Sequence, residues 1–331
     1  MNISAVSFNN SYKTGIYSAP KQSYNSVPKM QQQLTRDTVS FTGGVPYGVG
    51  LAINKESEKA LKDFMNMLKH ELKPLIETRL NPNGPIAAGQ KGIKGRVKAP
   101  YNTLVKAEDR NKSKKSEIKN IGDIIAMRIV LRDSSQKSFD DIFKVFGRLV
   151  KQGRFNVTEV ESYRPTPKKS YIAQNTLDKF EDTCLRAGLK PKITSAAKDS
   201  GYPAVHLNIK LPNGQIAEIQ IMGVDVEAFK EVEDLFYKRF CDKPKPLADK
   251  YKIIQETLDE NIKKMTDFQK ETMRHYIYDG YDYAKEIPPS ATHPDYDVNR
   301  FLPYPYSLPQ ELNFANLYRM KEAADYVAKI M

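Results

Sequence analysis

Residues 204–222 contain two runs in which polar and apolar side chains alternate, with Asn213-Gly214 between them. Such alternation is typical of strands with one face in a core, because successive side chains of a strand point to opposite faces. Asn-Gly favours the tight turn that joins two antiparallel strands. The sequence therefore predicts a β-hairpin with strands over 204–211 and 215–222, and the fold has to be built around it.

Apolar spacing elsewhere predicts helices and further strands around this hairpin. Residues 124–131 form a short apolar run that is typical of a buried strand. The predicted order is helix, strand, helix, strand, helix, hairpin, helix, which indicates an α/β fold with a mixed sheet flanked by helices. The first helix is expected from Asn54, as N-cap, through Ile76. Further helices are expected over about 138–151, near 175–187, from the hairpin to about Phe240, from Pro246 to Phe268, and over about 310–330. Another strand is expected near 156–162.

Composition changes along the chain predict three parts. Residues 1–50 are rich in Ser, Asn, Tyr and Gln without periodicity, which predicts a disordered arm. Residues 51–245 carry the α/β pattern, and residues 246–331 are expected to form a helical, Tyr- and Pro-rich extension. Glycines at 84, 89, 92 and 95 predict a flexible basic loop before the first strand.

Charge and cysteine content limit the partners and the compartment. Lys and Arg outnumber Asp and Glu by 52 to 40, a net charge of +12 that suits a polyanionic partner such as nucleotide phosphates or nucleic acid. Only two cysteines occur, Cys184 and Cys241, and no run approaches the length of a membrane span. We therefore expect a cytoplasmic protein without a disulfide scaffold or a membrane partner; the oligomeric state is left open.

Cations and carboxylates recur at spacings that suit phosphate chemistry. Arg96 and Lys98 point the same way on an extended stretch, so both can meet a triphosphate, and Lys106 follows. Asp123 precedes the predicted strand that contains Arg128, and Glu218 lies within the second hairpin strand. Carboxylates on neighbouring strands can share Mg²⁺. The alternatives are a solvated sheet face for Glu218 and a helix cap or a turn residue for Asp123.

Four motifs follow one another along the chain, namely Arg96-x-Lys98, Asp123-x₄-Arg128, Lys198-x₂-Gly201-Tyr202-x₃-His206 and Glu218-x-Gln220. In this order they resemble the synthetase domain of the RelA/SpoT alarmone family, over roughly residues 52–245. The resemblance implies a nucleotidyltransferase-like fold. It also implies a Mg²⁺-dependent GTP pyrophosphokinase that moves the β,γ-pyrophosphate of ATP to the ribose 3′-hydroxyl of GDP or GTP.

The same resemblance implies roles for individual residues. Asp123 and Glu218 match the carboxylates that bind Mg²⁺, and Glu218 is placed to help activate the attacking hydroxyl. Tyr202 matches a tyrosine that stacks on the acceptor base, although packing on a neighbour is an alternative for this ring. The remaining matches are Arg96, Lys98, Asn102 and Lys106 for ATP, Arg128 in the strand motif, and Lys198, His206 and Gln220 for the acceptor.

Several features depart from the family pattern, mainly on the acceptor side. Asn102 and Ser200 replace a common Ser and Asn, and Met222-Gly223 stands where Arg-Thr is usual. A connection of unusual length, over 165–195, precedes the Gly-Tyr pair. None of the four histidines is followed by Asp, so the family's His-Asp hydrolase motif is missing and we expect synthesis without hydrolysis.

Three functions are therefore open. The first is a stand-alone synthetase acting on GDP or GTP. The second is a toxin-type relative that pyrophosphorylates tRNA 3′ ends or adenine nucleotides, which the basic run from Arg110 to Lys119 favours. The third is an inert nucleotide sensor.

The tyrosines at 276, 278, 281 and 283 could fold back on the site and inhibit it, or pack on the preceding helix.

Overall fold

A computed structural model describes residues 47–132, 135–164, 171–197, 202–240, 246–273, 275–276 and 307–330. The chain divides into the units Met1–Ser40 and Phe41–Met331, and every described residue belongs to the second. The predicted arm up to residue 46, Lys198 and most of the Tyr- and Pro-rich stretch lie outside the described residues. Residues 47–50, predicted as the end of that arm, are instead part of a helix.

The second unit is an α/β fold built on one mixed sheet of six strands, which confirms the predicted fold class. The strand order is β1-β2-β6-β5-β3-β4, with β2 parallel to β6 and β3 parallel to β4. The other neighbours are antiparallel. The strands are β1 (Ile93–Val97), β2 (Ile125–Leu131), β3 (Asn156–Arg164), β4 (Lys192–Ala197), β5 (Ala204–Lys210) and β6 (Ile216–Gly223).

Helices flank this sheet and extend beyond it. The long ones lie before β1, between the strands and after β6, as the apolar spacing predicts. They are α1 (Tyr47–Leu72), α2 (Gly89–Gly92), α3 (Pro100–Asp109), α4 (Lys115–Ile118), α5 (Gln136–Lys151), α6 (Gln174–Arg186), α7 (Val224–Phe240), α8 (Lys252–Lys264), α9 (residues 267–273) and α10 (Phe314–Ile330). Single 3₁₀ turns occupy Lys73–Leu75, Asp249–Tyr251 and Gln310–Leu312.

The predicted hairpin is present as β5 and β6. Gly214 has a φ of +81°, a conformation that a residue without a Cβ adopts at low cost, and its N–H donates to the Leu211 carbonyl at 2.8 Å. The register pairs His206 with Gln220 and Asn208 with Glu218. These polar residues consequently share one face of the sheet.

The two faces of the sheet differ in character. One is apolar and packs in a common core with α1, α5 and α6, through residues such as Leu68, Phe146 and Phe180. A register shift in β3 lets Val157 and Val160 both enter this core although they are three positions apart. The other face is polar and carries, from β1 to β3, Lys94, Arg96, Arg128, Glu218, Gln220, His206, Asn208, Glu159 and Glu161.

A second buried cluster covers one end of the polar face. It joins Tyr202 and Met222 of the sheet region to Phe229 on α7, Leu258 on α8 and Phe314 on α10. The rings of Phe229 and Phe314 stack at 4.8 Å. The C-terminal helices thus pack on the domain that carries the motifs and complete its core.

Several local predictions were wrong. The first helix begins at Tyr47, and Asn54 lies within it, where its side-chain amide donates to the Lys98 carbonyl at 2.9 Å. It ends at Leu72, and Pro74 falls in a 3₁₀ turn. The predicted basic loop contains α2 and the start of β1, and the helix expected through Phe268 ends at Lys264.

The unusually long connection after β3 also has a structural role. It contains α6, which packs on α5 with Phe143 and Phe180 at 5.0 Å, and β4, which extends the sheet beside β3. Cys184 on α6 is a free, buried thiol, and burial raises its pKa to about 11. This connection therefore adds to the apolar core and to the sheet edge.

Candidate functional site

Two lysines meet one carboxylate where β1 leads into α3. The ammonium nitrogens of Lys98 and Lys106 lie 3.2 Å and 2.6 Å from Oδ2 of Asp123. The backbone N–H of Lys98 donates to the Ile124 carbonyl at 2.8 Å, which fixes the segment beside β2. Burial lowers the pKa of Lys98, with repulsion from Lys106 and Arg96 adding to this and the Asp123 carboxylate opposing it.

Asp123 has an unusual conformation. Its φ is +67°, in the left-handed region that costs a residue with a Cβ about 1–3 kcal/mol. Its Oδ1 atom is buried and, among the described residues, has no hydrogen-bond partner. Backbone strain clusters at binding sites, and a buried polar atom without a partner calls for an explanation such as a bound ion.

Glu218 is held by two neighbours on the polar face. Its Oε1 lies 2.9 Å from Nδ1 of His206, and its Oε2 accepts from the Gln220 amide at 3.0 Å. Burial raises the pKa of Glu218, but the hydrogen bond and charge of His206 outweigh it, so the pKa falls below its ordinary value. Glu218 is therefore an ionised, oriented carboxylate at neutral pH.

His206 connects this carboxylate to Tyr202. Its Nε2 lies 3.2 Å from the Tyr202 hydroxyl, and both side chains are largely buried. The Tyr202 ring packs in the cluster formed with the C-terminal helices, and the ammonium of Lys230 lies 5.5 Å from its centroid. In this structure the ring is packed on its neighbours, and its predicted stacking on an acceptor base stays a prediction.

Glu161 on β3 joins the same group, although the sequence reasoning missed it. Donor atoms of Glu161, His206 and Glu218 all lie within 4.8 Å of one another. The register pairs Glu161 directly with His206. The signal was available, because Glu159, Glu161 and Tyr163 alternate with Val160 and Ser162 in a stretch already predicted as a strand.

Arg128 has carboxylate partners on α7 that the sequence reasoning also missed. Its Nη1 donates to Glu231 at 2.7 Å and to Glu227 at 3.1 Å, and Lys94 contacts Glu227 at 2.6 Å. Burial lowers the pKa of Arg128, but these two carboxylates outweigh it and raise the pKa. In this structure the charge of Arg128 is neutralised by α7.

An open pocket of about 350 Å³ lies over the other end of the polar face. Asp123 and Glu218 both line it, so the two predicted metal carboxylates share one cavity. Arg110 lines it beside Lys106. Glu159, Glu161 and Asn208 complete the wall formed by β3 and β5.

The predicted site residues fall into three groups. Lys98, Lys106 and Asp123 are in contact, and so are Glu218, Gln220, His206 and Tyr202. Arg128 is next to the second group, with its Nε 3.4 Å from the Gln220 amide oxygen. Arg96 and Asn102 are exposed, on β1 and in the first turn of α3, and Lys198 lies outside the described residues.

The residues at the pocket suit a hard divalent cation. Carboxylate oxygens are the ligands that Mg²⁺ prefers, and the Oδ1 of Asp123 has an unused acceptor site. Each oxygen of Glu218 already accepts one hydrogen bond but retains a second lone pair. Asp123 and Glu218 are therefore chemically able to hold the ion.

A family profile described as "Region found in RelA / SpoT proteins" matches residues 95–240. Small alarmone synthetase 1 from Bacillus subtilis matches 66% of this chain and 95% of its own, at 18% identity and a TM-score of 0.37. The structure of the same protein bound to its product pppGpp matches 66% of this chain and 92% of its own, at 21% identity and a TM-score of 0.36. A GTP pyrophosphokinase family protein from Streptococcus pneumoniae matches 70% of this chain and 95% of its own, at 17% identity and a TM-score of 0.38.

A search of curated proteins found no match. No helix among the described residues is long and apolar enough to cross a membrane.

Proposed function

Residues 95–240 form a RelA/SpoT-family domain, and from this premise we propose that the protein transfers the β,γ-pyrophosphate of ATP to the 3′-hydroxyl of GDP or GTP. The observation that carries the proposal is the strained Asp123, which shares a pocket with Glu218 and contacts two lysines. Transfer of this kind needs charge neutralisation and positioning more than a reactive side chain.

The donor half of the site lies at β1 and α3. Lys98 and Lys106 both contact Oδ2 of Asp123, and Lys106 also lines the pocket, where a triphosphate would replace part of its contact with Asp123. Arg96 is exposed on the same face and is free to approach the phosphates or the base. Bound by Asp123 and Glu218, Mg²⁺ would neutralise charge on the phosphate oxygens.

The acceptor half lies on β5 and β6. Glu218 is ionised and is oriented by His206 and Gln220, so it can accept the proton of the attacking hydroxyl. Because its pKa is lowered, Glu218 is a weak base, and its main contribution is to orient the hydroxyl and favour loss of its proton during attack. His206 in turn is fixed by the Tyr202 hydroxyl.

A different acceptor, a tRNA 3′ end or an adenine nucleotide, is the second candidate. The observation that favours it is the burial of the Tyr202 ring and of Met222 under the C-terminal helices. Because that end of the polar face is closed, the Tyr202 ring has no exposed face on which a guanine base could stack. The basic run supports it less, since Lys115 and Lys119 both pair with Glu56.

One labelling experiment tests these proposals. The full chain is incubated with Mg²⁺ and γ-labelled ATP, separately with GDP, GTP, AMP, unlabelled ATP or total tRNA. We expect label on GDP or GTP, and a loss of about 100-fold or more in Asp123→Asn. Asp109→Asn, the same change at the exposed end of α3, is the matched control and should keep wild-type activity.

The other outcomes are equally informative. Label on tRNA or on an adenine nucleotide would replace GDP and GTP by the second candidate. ATP binding without transfer to any acceptor would overturn the proposed chemistry and leave the inert sensor.

A further inference from the structure

We propose that Glu161, His206 and Glu218 form a binding site for a divalent transition-metal ion such as Zn²⁺, Co²⁺ or Mn²⁺. This site shares Glu218 with the Mg²⁺ position proposed at Asp123 but adds Glu161 and His206, and the inference does not require that the protein transfers pyrophosphate. It rests on the positions of three side chains, on their outer hydrogen-bond partners and on their charge.

The three donors come from three adjacent strands. Glu161 lies on β3, His206 on β5 and Glu218 on β6, and the sheet register places them on the same face. Their donor atoms lie within 4.8 Å of one another, and Nδ1 of His206 lies 2.9 Å from Oε1 of Glu218. Ligand atoms about 2.1 Å from one ion can be no more than about 4.2 Å apart, so the side chains would move closer together to form the site.

Every member of the group has an outer partner of the kind that orients metal ligands. The other nitrogen of His206 lies 3.2 Å from the Tyr202 hydroxyl, and Oε2 of Glu218 accepts from Gln220. Glu161 is hydrogen-bonded to the side chain of Tyr163, whose pKa is raised by burial and by this carboxylate. Such outer contacts fix the ring orientation and the carboxylate geometry in known metal centres.

Charge and ligand type select the kind of ion. As metal ligands, two ionised carboxylates and an imidazole that has given up its Nδ1 proton would carry two negative charges, which a divalent cation would balance. An imidazole ligand favours Zn²⁺, Co²⁺ or Mn²⁺ over Mg²⁺, whereas the all-carboxylate position at Asp123 favours Mg²⁺. Glu161 and Glu218 line the open pocket, so an ion can reach the group from solvent.

Co²⁺ titration of tag-free full-length protein tests this inference. The buffer contains excess Mg²⁺ and no nucleotide, and the readouts are the visible absorption of bound Co²⁺ and its displacement by Zn²⁺. We expect wild-type protein to bind Co²⁺ without a thiolate charge-transfer band, because the ligands are oxygen and nitrogen. Glu161→Gln should weaken binding by more than about 100-fold, and Tyr163→Phe, which removes an outer partner, by about 10-fold or more.

Glu159→Gln is the matched control. Glu159 lies two positions away on β3 and lines the same pocket, but it bonds Asn208 and Lys192 and is outside the donor group. This variant should bind Co²⁺ as the wild type does. If Glu161→Gln fails to fold, His206→Gln takes its place, with the same expected loss.

Two results would overturn the inference. One is the absence of Co²⁺ binding by wild-type protein. The other is equal binding by wild-type and Glu161→Gln protein. Neither result bears on pyrophosphate transfer, which the labelling experiment measures separately.

Discussion

The carboxylate of Asp123 contacts two ammonium groups through one oxygen while its other oxygen is buried without a partner among the described residues. Its backbone is left-handed, with a φ of +67°. A Cβ on Gly122 would lie 3.3 Å from the Asn208 side-chain oxygen, so the turn also fits tightly against β5. At the scale of the residue, the site is positioned before any ligand binds.

The Tyr202 hydroxyl gives a stability prediction at the same scale. Tyr202→Phe removes the hydrogen bond to His206 but keeps the buried ring. We expect the free energy of unfolding to fall by about 1 kcal/mol, the usual net value of such a bond, measured by urea denaturation. Tyr326→Phe, at a tyrosine that is 66% exposed, is the control and should change stability by less than about 0.5 kcal/mol. If the free energy of unfolding of Tyr202→Phe equalled that of the wild type, the stabilising hydrogen bond to His206 would be contradicted.

At the scale of the element, β6 combines two environments along one strand. Glu218 and Gln220 are half-buried on the polar face, whereas Met222, at the end of the strand, is fully buried under the C-terminal helices. This burial gives a physical reason for the departure from the family pattern. An arginine at 222 would lie in an apolar cluster, where an unpaired charge is very costly.

Met222→Arg should therefore destabilise the protein by about 3 kcal/mol or more, measured by urea denaturation. Met222→Leu keeps the apolar volume and should cost less than about 1.5 kcal/mol. A stable arginine variant would show that the C-terminal helices do not pack tightly on this end of β6.

At the scale of the whole molecule, a network of ion pairs connects the sheet to the C-terminal helix. Arg128 on β2 pairs with Glu231 on α7, whose other oxygen contacts Lys321 on α10 at 2.7 Å. Lys321 also pairs with Asp325, which Lys250 and the Tyr251 hydroxyl contact at 2.6 Å. The network fixes α10 against the domain that carries the motifs.

Acid unfolding should reveal this network. Burial would raise the pKa of Glu231, but Lys321 and Arg128 lower it from 4.5 to about 2. Because the pKa of Glu231 is lower in the folded state, its ionised form stabilises the fold at any pH above the pKa of the unfolded chain. This contribution is lost as the pH falls from 4.5 toward 2. Glu231→Gln should lack this pH-dependent component and be less stable at pH 7 by about 2 kcal/mol. That is below the roughly 3–5 kcal/mol of an uncompensated buried charge, because Glu227 and Asp325 remain.

The control for this prediction is Glu256→Gln on α8. Its partner Lys252 is 3.8 Å away and both side chains are mostly exposed, so neither stability nor its pH dependence should change measurably. Equal acid unfolding of wild-type and Glu231→Gln protein would contradict the role given to the network.

The idea that the C-terminal tyrosines inhibit the site stays a prediction. Tyr276 is buried in the cluster with α7 and α10, in keeping with the packing alternative, and the tyrosines at 278, 281 and 283 lie outside the described residues.

Two strands could not be predicted because their sequences carry little of the usual signal. β1 (Ile93–Val97) contains Gly95 and two basic residues, and β4 (Lys192–Ala197) has only one large apolar residue. Both lie at edges of the sheet, where fewer neighbours reward apolar side chains. Their strand conformation comes from pairing with β2 and β3, which the local sequence does not encode.

The sequence by itself determined the hairpin, the buried strand β2, the long helices and the common face of Glu218 and Gln220 on the second hairpin strand. This was possible because alternation along a strand is local and assigns each side chain to one face of a sheet. Only the tertiary structure decided which charges meet. Glu227 and Glu231 reach Arg128 from 99 and 103 positions away, and Tyr202 is covered by helices from the far end of the chain. Such contacts depend on how the helices pack, and no spacing in the sequence encodes that.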